Sequence, residues 1–290
     1  MNVVNFGSLN IDYTFRVNEI VRPGQTVDSL GVSCFPGGKG LNQSVAFARA
    51  GGRIFHAGLI GKDGLFLKEL LEKDGADCSC VRVLEDTGTG KAFIQVDRNG
   101  QNSIVLSGGA NRRNTEAYCR EVLDRFSAGD WLLVQNEISC IGLLMELAGE
   151  KGMKVIFNPS PMDGAVLRCP LDRVSLFLLN ENEGEGLTGR KEPDAILAEM
   201  AEKYPRAEVI LTLGEKGALW SDGRETLSQE AFPVSPVDTT GAGDTFTGYV
   251  LACLSRGEGI RDSMRTAARA AAAAVTREGA ATAIPRIGEL

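Results

Sequence analysis

Histidine is nearly absent. The chain has one, His56, in 290 residues, and it lies in the strand-like run Arg53-Ile54-Phe55-His56-Ala57-Gly58, where a lone imidazole reads as structural. A Ser-His-Asp triad or a multi-histidine metal site therefore has little support. Excess positive charge is also missing, since 31 Lys and Arg against 38 Asp and Glu leave a net charge of −7. Nucleic acid is bound through basic surfaces, so it is not an expected partner, whereas a small anionic ligand needs only a local positive field. No apolar run approaches the ~18 residues of a membrane span. Met1–Phe6 shows no basic segment ahead of a long apolar core, so no membrane association and no secretory signal are expected. The seven cysteines (Cys34, Cys78, Cys80, Cys119, Cys140, Cys169, Cys253) are scattered, odd in number and without a C-x-x-C pair. That pattern suits a reduced, cytoplasmic protein rather than a disulfide framework or a zinc site.

What remains is an ordinary globular composition, 43% hydrophobic and 24% charged, long enough to bury a full core. Val3–Gly7 reads as a buried strand running into a turn, and Gly40–Ala50 as a helix stopped by Gly51-Gly52. Strand-like Ile54–Ile60 and a helix over Leu65–Lys73 follow. The alternation returns through Trp131–Val134, Ile138–Gly149, Val155–Phe157, Leu176–Leu179 and Val209–Leu213, and closes with helices over Ala242–Leu254 and Ile260–Thr276. Such alternation predicts a parallel sheet covered on both faces, an α/β fold. Asp12–Val17 with Thr26–Cys34, and Lys91–Asp97 with Ser103–Leu106, alternate like strands outside any βαβ unit. They predict a small separate sheet, suited to cover a site as a lid. With no repeat, charge block or proline-rich linker, residues 1–290 read as one domain carrying that lid (strands from about 12–34 and 91–106).

Chemistry concentrates at glycine-rich junctions. In Asp238-Thr239-Thr240-Gly241-Ala242-Gly243-Asp244-Thr245-Phe246 a two-glycine turn opens directly into an apolar-periodic helix. Unpaired N–H groups and the positive end of the helix dipole make such a junction an anion site. Asp244 at its mouth is placed to take a proton from a hydroxyl attacking a phosphoryl group. Pro36-Gly37-Gly38-Lys39-Gly40-Leu41-Asn42 also opens a helix but is no P-loop, because Gly40 stands where Ser or Thr is required. Its amides and Asn42 suit the hydroxyls of a polyol. Asn10 and Asp12 alternate onto one side after the first strand, at the end where α/β sheets bind ligands. Asn180 and Glu183 follow another strand, as does Thr212-Leu213-Gly214-Glu215-Lys216-Gly217. There Asn180, Thr212 and the amides of Gly214 and Gly217 can meet polyphosphate, and Glu183 can act on magnesium through water. Helix capping is the competing account of Asn180–Glu183. Gly184–Gly189 matches G-x-G-x-x-G but falls inside a helical stretch with a glutamate facing the phosphates, which speaks against a dinucleotide site.

Taken together, these motifs resemble the ribokinase (PfkB-type) family of carbohydrate kinases over essentially the whole chain. The family's G-G-K/x-G-x-N and D-T-x-G-A-G-D signatures appear at Gly37–Asn42 and Asp238–Asp244, and Gly7–Asp12 and Gly108–Asn111 resemble its ribokinase branch. The resemblance implies a three-layer α/β/α fold with a mostly parallel sheet and a β-sheet lid that also forms a homodimer interface. It implies ATP-dependent phosphorylation of a small sugar, D-ribose before others, with magnesium and potassium. A nucleoside kinase or a catalytically silent sugar-binding regulator are the alternatives. By the same resemblance Asn10, Asp12, Gly38, Lys39, Asn42 and Glu137 hold the sugar. Asp244 is the base and Gly241, Ala242 and Gly243 the anion hole. Asn180, Glu183, Thr212 and Gly214 serve nucleotide and magnesium, and Asp238, Thr240 and the Gly279 loop a monovalent cation. Two positions depart from the family: Ala283 replaces a serine of the cation loop, and Arg269 replaces the usual Asn or His near the adenine.

Overall fold

The computed structural model describes all 290 residues. The strands are β1 (Val3–Phe6), β2 (Asn10–Arg16), β3 (Gly31–Gly37), β4 (Ile54–Gly61), β5 (Asp77–Leu84), β6 (Gly90–Val96), β7 (Asn102–Ser107), β8 (Trp131–Gln135), β9 (Lys154–Asn158), β10 (Val174–Asn180), β11 (Glu208–Thr212), β12 (Ala218–Ser221) and β13 (Thr226–Gln229). The helices are α1 (Lys39–Arg49), α2 (Leu65–Asp74), α3 (Glu116–Leu123), α4 (Ile141–Glu150), α5 (Glu181–Thr188), α6 (Pro193–Lys203), α7 (Ala242–Ser255) and α8 (Ile260–Ala274).

Nine strands form one sheet in the order β13-β12-β11-β10-β9-β8-β1-β4-β5. It is parallel from β11 to β5, with β12 and β13 added antiparallel at one edge. The central strands are continuous apolar runs because both faces are covered. Val4 and Phe6 of β1 with Leu132 and Val134 of β8 face one core, into which α3, α4 and α6 pack. Val3, Trp131 and Leu133 face the other, formed with α1, α2, α7 and α8. The result is the expected three-layer α/β/α arrangement. A second sheet, ordered β3-β2-β6-β7, stands apart.

Several boundaries differ from the sequence reading. The strand expected over Thr26–Cys34 spans Gly31–Gly37, because β2 pairs only from Asn10↔Gly37 to Arg16↔Gly31, and Leu30, which donates to Arg16 O at 2.7 Å, makes the last contact at that end. The helix expected from Ile138 starts at Ile141, after a loop that carries Cys140 at φ 66°. The antiparallel edge, β5, α3 and α6 carried signals too short or too weakly periodic to separate from loops.

At the center of the sheet α1 lies close against the turn after β1. A Cβ on Gly40 would come within 2.3 Å of Ser8 N, so only glycine permits this approach. It sets the start of α1 beside the carboxyl ends of β1, β8 and β9.

Candidate active site

The first turn of α7 forms the center of the site. Gly241 caps the helix at φ 77°, a left-handed conformation suited to glycine. Beyond it the first-turn amides have no intrahelical acceptor. Asp244 sits in that turn and is buried, 7% exposed. Asn42 Nδ2 donates to its Oδ2 at 2.9 Å, and Gln43 Nε2 donates to its Oδ1 at 2.8 Å. These donors are consecutive residues of α1, which packs along α7.

Around Asp244 also gathers a cluster of polar side chains, with Asp12 near both it and Glu137. Asn10 Oδ1 accepts from Asn111 Nδ2 at 2.7 Å. Glu137 accepts from the Ser8 hydroxyl and, at 2.9 Å, from the Lys39 backbone N–H. Gly38 caps α1 at φ 94°, which places that N–H. Asp12 Oδ1 and Asn42 Oδ1 are buried acceptors with no partner in the protein. Burial, then Glu137, then Asp244 raise the Asp12 pKa to about 7. For Lys39, burial opposes the charge, but Asp244, Glu137 and Glu183 together lift its pKa above the usual lysine value.

Asp244 also faces a cleft of about 200 Å³, bordered with it by Lys39, Asn180, Glu183, Thr212, Gly241, Ala242 and Gly243. Asn180 caps α5. Its Oδ1 accepts from Glu183 N–H at 2.9 Å, while Glu183 Oε2 accepts from Asn180 N–H at 2.9 Å and Oε1 from Asn180 Nδ2 at 2.9 Å. The capping reading is thus realized, with the capped carboxylate also in the cleft wall. Burial raises the Glu183 pKa against the opposing hydrogen bonds from Asn180 and Ser160 and the charge of Lys39, with Asp244 adding to the rise. Thr212 Oγ1 is turned to Leu179 O at 3.1 Å. Gly214 and Gly217 do not border the cleft. Gly214 is exposed, and Gly217 packs its backbone against Gln229–Ala231.

Ahead of the Gly241–Gly243 turn, Asp238 joins two segments. Its Oδ1 accepts from Thr240 N–H at 2.9 Å and its Oδ2 from Gly279 N–H at 3.0 Å. Burial works against it, yet these bonds hold its pKa below the usual carboxylate value.

Residues 1–287 match the pfkB family carbohydrate kinase. The chain belongs to this family. It is 34% identical to the ribokinase of Haemophilus influenzae over 96% of this chain and 94% of that one. The ribokinase of Cryptococcus neoformans var. grubii serotype A in complex with ADP superposes with a TM-score of 0.87 at 35% identity, covering 99% of this chain and 98% of that one. Ribokinase of Arabidopsis thaliana complexed with ribose and ATP gives a TM-score of 0.87 at 28% identity, covering 99% and 96%.

Within this carbohydrate kinase the structure adds residues that sequence reasoning missed. Asn158, Ser160, Thr239 and Thr247 also border the cleft, and Gln43 and Asn111 bond site residues directly. Gln43 stood beside Asn42 in a motif already singled out, and Asn158 ends a strand, so position was the available signal. Gly184–Gly189 lies in α5 with Gly189 as its cap, a helix interior that leaves no phosphate-binding turn. His56 is fully buried beside Ser44 Oγ at 2.8 Å, and burial lowers its pKa to about 3. Ala283 is a buried methyl group and Arg269 an exposed residue of α8.

Proposed function

We propose that this carbohydrate kinase transfers the γ-phosphoryl group of ATP to the primary hydroxyl of D-ribose, giving ribose 5-phosphate and ADP. The observation that carries the reading is Asp244, buried and doubly hydrogen-bonded at the helix start, within the polar cluster and at the border of the cleft. The hydroxyl gives its proton to the Asp244 carboxylate, its oxygen bonds to the γ-phosphorus, and the bond from that phosphorus to the bridging oxygen of ADP breaks. The amides of Gly241, Ala242 and Gly243 face the charge of the transferring group, where fixed dipoles are worth most. The open acceptors Asp12 Oδ1 and Asn42 Oδ1 suit sugar hydroxyls, with Asn10, Gly38, Lys39 and Glu137 completing the sugar site. Asn180 and Thr212 lie on the nucleotide side, with Gly214 and Gly217 farther out.

No group of three His, Cys, Asp or Glu is assembled to hold a metal ion. A single carboxylate, Glu183, in the cleft wall suits magnesium that arrives with the nucleotide and keeps most of its waters. Bound magnesium neutralizes phosphate charge. Backbone carbonyls around Thr240 and Gly279, joined by Asp238, suit potassium beside the anion-site loop. The second sheet acts as the lid and as a homodimer interface. No helix is long and apolar enough to cross a membrane, in keeping with work in the cytoplasm.

The deciding experiment measures ADP release with magnesium and potassium across ribose, 2-deoxyribose, arabinose, hexoses and nucleosides. Ribose should give the highest kcat/KM. A nucleoside or hexose as best substrate overturns the ribose assignment, and no ADP with any acceptor makes this a silent sugar-binding protein.

A further inference from the structure

Behind Asp244 runs a chain of buried amides. Gln43 is fully buried, and its Nε2 donates both to Asp244 Oδ1 at 2.8 Å and to Asn158 Oδ1 at 3.0 Å. Its Oε1 accepts from Gln135 Nε2 at 2.7 Å. Gln135, equally buried, also donates from Nε2 to Asn5 Oδ1 at 3.0 Å, and Asn5 donates to Gly40 O at 2.8 Å and Ser44 Oγ at 2.9 Å. Gln135 and Asn158 are register partners at the carboxyl ends of β8 and β9. An amide is a donor at one end and an acceptor at the other. This chain therefore admits one orientation of Gln43. Turned over, its oxygen would face two oxygens and its NH₂ group would face that of Gln135, a costly arrangement without water.

Asn42 differs. Its Nδ2 meets Asp244 Oδ2, but its Oδ1 is unpaired, so the amide has an end open to an incoming sugar. Gln43 has both ends engaged inside the protein.

We infer that Gln43 is the positioning residue for Asp244, clamped by Gln135. It keeps a donor on Oδ1 through the reaction, so the hydroxyl proton is taken at Oδ2, the oxygen bonded by the amide that is open to the sugar. The inference rests on Asp244 being the base.

The test is a double-mutant cycle between Gln43→Met and Asp244→Asn, with folding checked by circular dichroism. Gln43→Met should lower kcat by about 10–100-fold with the ribose KM within about threefold, and should cost less than about twofold further in the Asp244→Asn background. Gln135→Met, which releases the clamp, should give a smaller kcat loss that likewise vanishes in that background, and it carries the test if Gln43→Met does not fold. Losses that multiply with Asp244→Asn, or a KM that rises as far as kcat falls, overturn the positioning role while leaving the base in place. Near-normal turnover of Asp244→Asn alone removes the base itself.

Discussion

Asp244 and Asp12 are carboxylates in one site with different surroundings. Asp244 has a donor on each oxygen, so both are held in place in the first turn of α7. Asp244→Asn should cost roughly 10²–10⁴ in turnover while ribose affinity changes much less, read from steady-state kinetics beside direct ribose binding. Asp12 keeps an unpaired buried oxygen, and burial with two acidic neighbors takes its pKa to about 7. An unfolded aspartate titrates near ~3.9. Between these values the folded, sugar-free protein holds a proton that the unfolded chain has released, so its stability falls as pH rises through that window. The melting temperature should drop from pH 5 to pH 8 by more in the native protein than in Asp12→Asn. Equal drops in the two proteins would show that Asp12 is not the group responsible.

The site also depends on how elements meet. The start of α1 reaches Asp244 because Gly40 lets the helix touch the Gly7-Ser8 backbone. Gly40→Ala puts a methyl where a backbone nitrogen lies 2.3 Å away and should destabilize by about 2–4 kcal/mol in urea unfolding, with turnover lost in the folded fraction as Asn42 and Gln43 shift. Little change in either would mean that α1 can move without consequence. At the other end of α1, Arg49 donates to Ala281 O at 2.9 Å and to Ile284 O at 2.6 Å, and pairs with Asp74. It thereby fixes the loop that carries Ala283. With Ala283 adding no oxygen, potassium should activate only at high concentration, and Ala283→Ser should lower the concentration for half-activation. Comparing rates in potassium, sodium and a bulky organic cation checks this, and equal rates in all three would remove the cation site.

At the scale of the molecule, the second sheet leaves apolar side chains in water. Val32, Phe93 and Val105 on one face of it and Ile104 and Leu106 on the other are all exposed, as is Leu30 just before β3, and apolar exposure on this scale marks an interaction surface. A second copy of the sheet is the proposed cover. Sedimentation should show a dimer, and Ile104→Lys with Val105→Asp should give a folded monomer. A native protein that is monomeric at assay concentration would leave the lid without its interface.

The glycine junctions and the strand–helix alternation determined by themselves that this is an α/β protein with a helix opening at the two-glycine turn Gly241–Gly243, the proposed anion site, because backbone conformation and local periodicity are properties of neighboring residues. The capping of α5 by Asn180 and Glu183 was legible for the same reason. Contacts of high sequence separation were not. Nothing near Gln43 announces that Asp244, 201 residues away, is its partner, or that Asn111 reaches Asn10 across 101 residues. Nor does any local signal place Gly217 against Gln229 rather than in the cleft. Those pairings exist only once the whole chain has folded, Gly217 meeting Gln229 through the antiparallel pairing of β12 and β13, and Gln43 meeting Asp244 through the packing of α1 along α7.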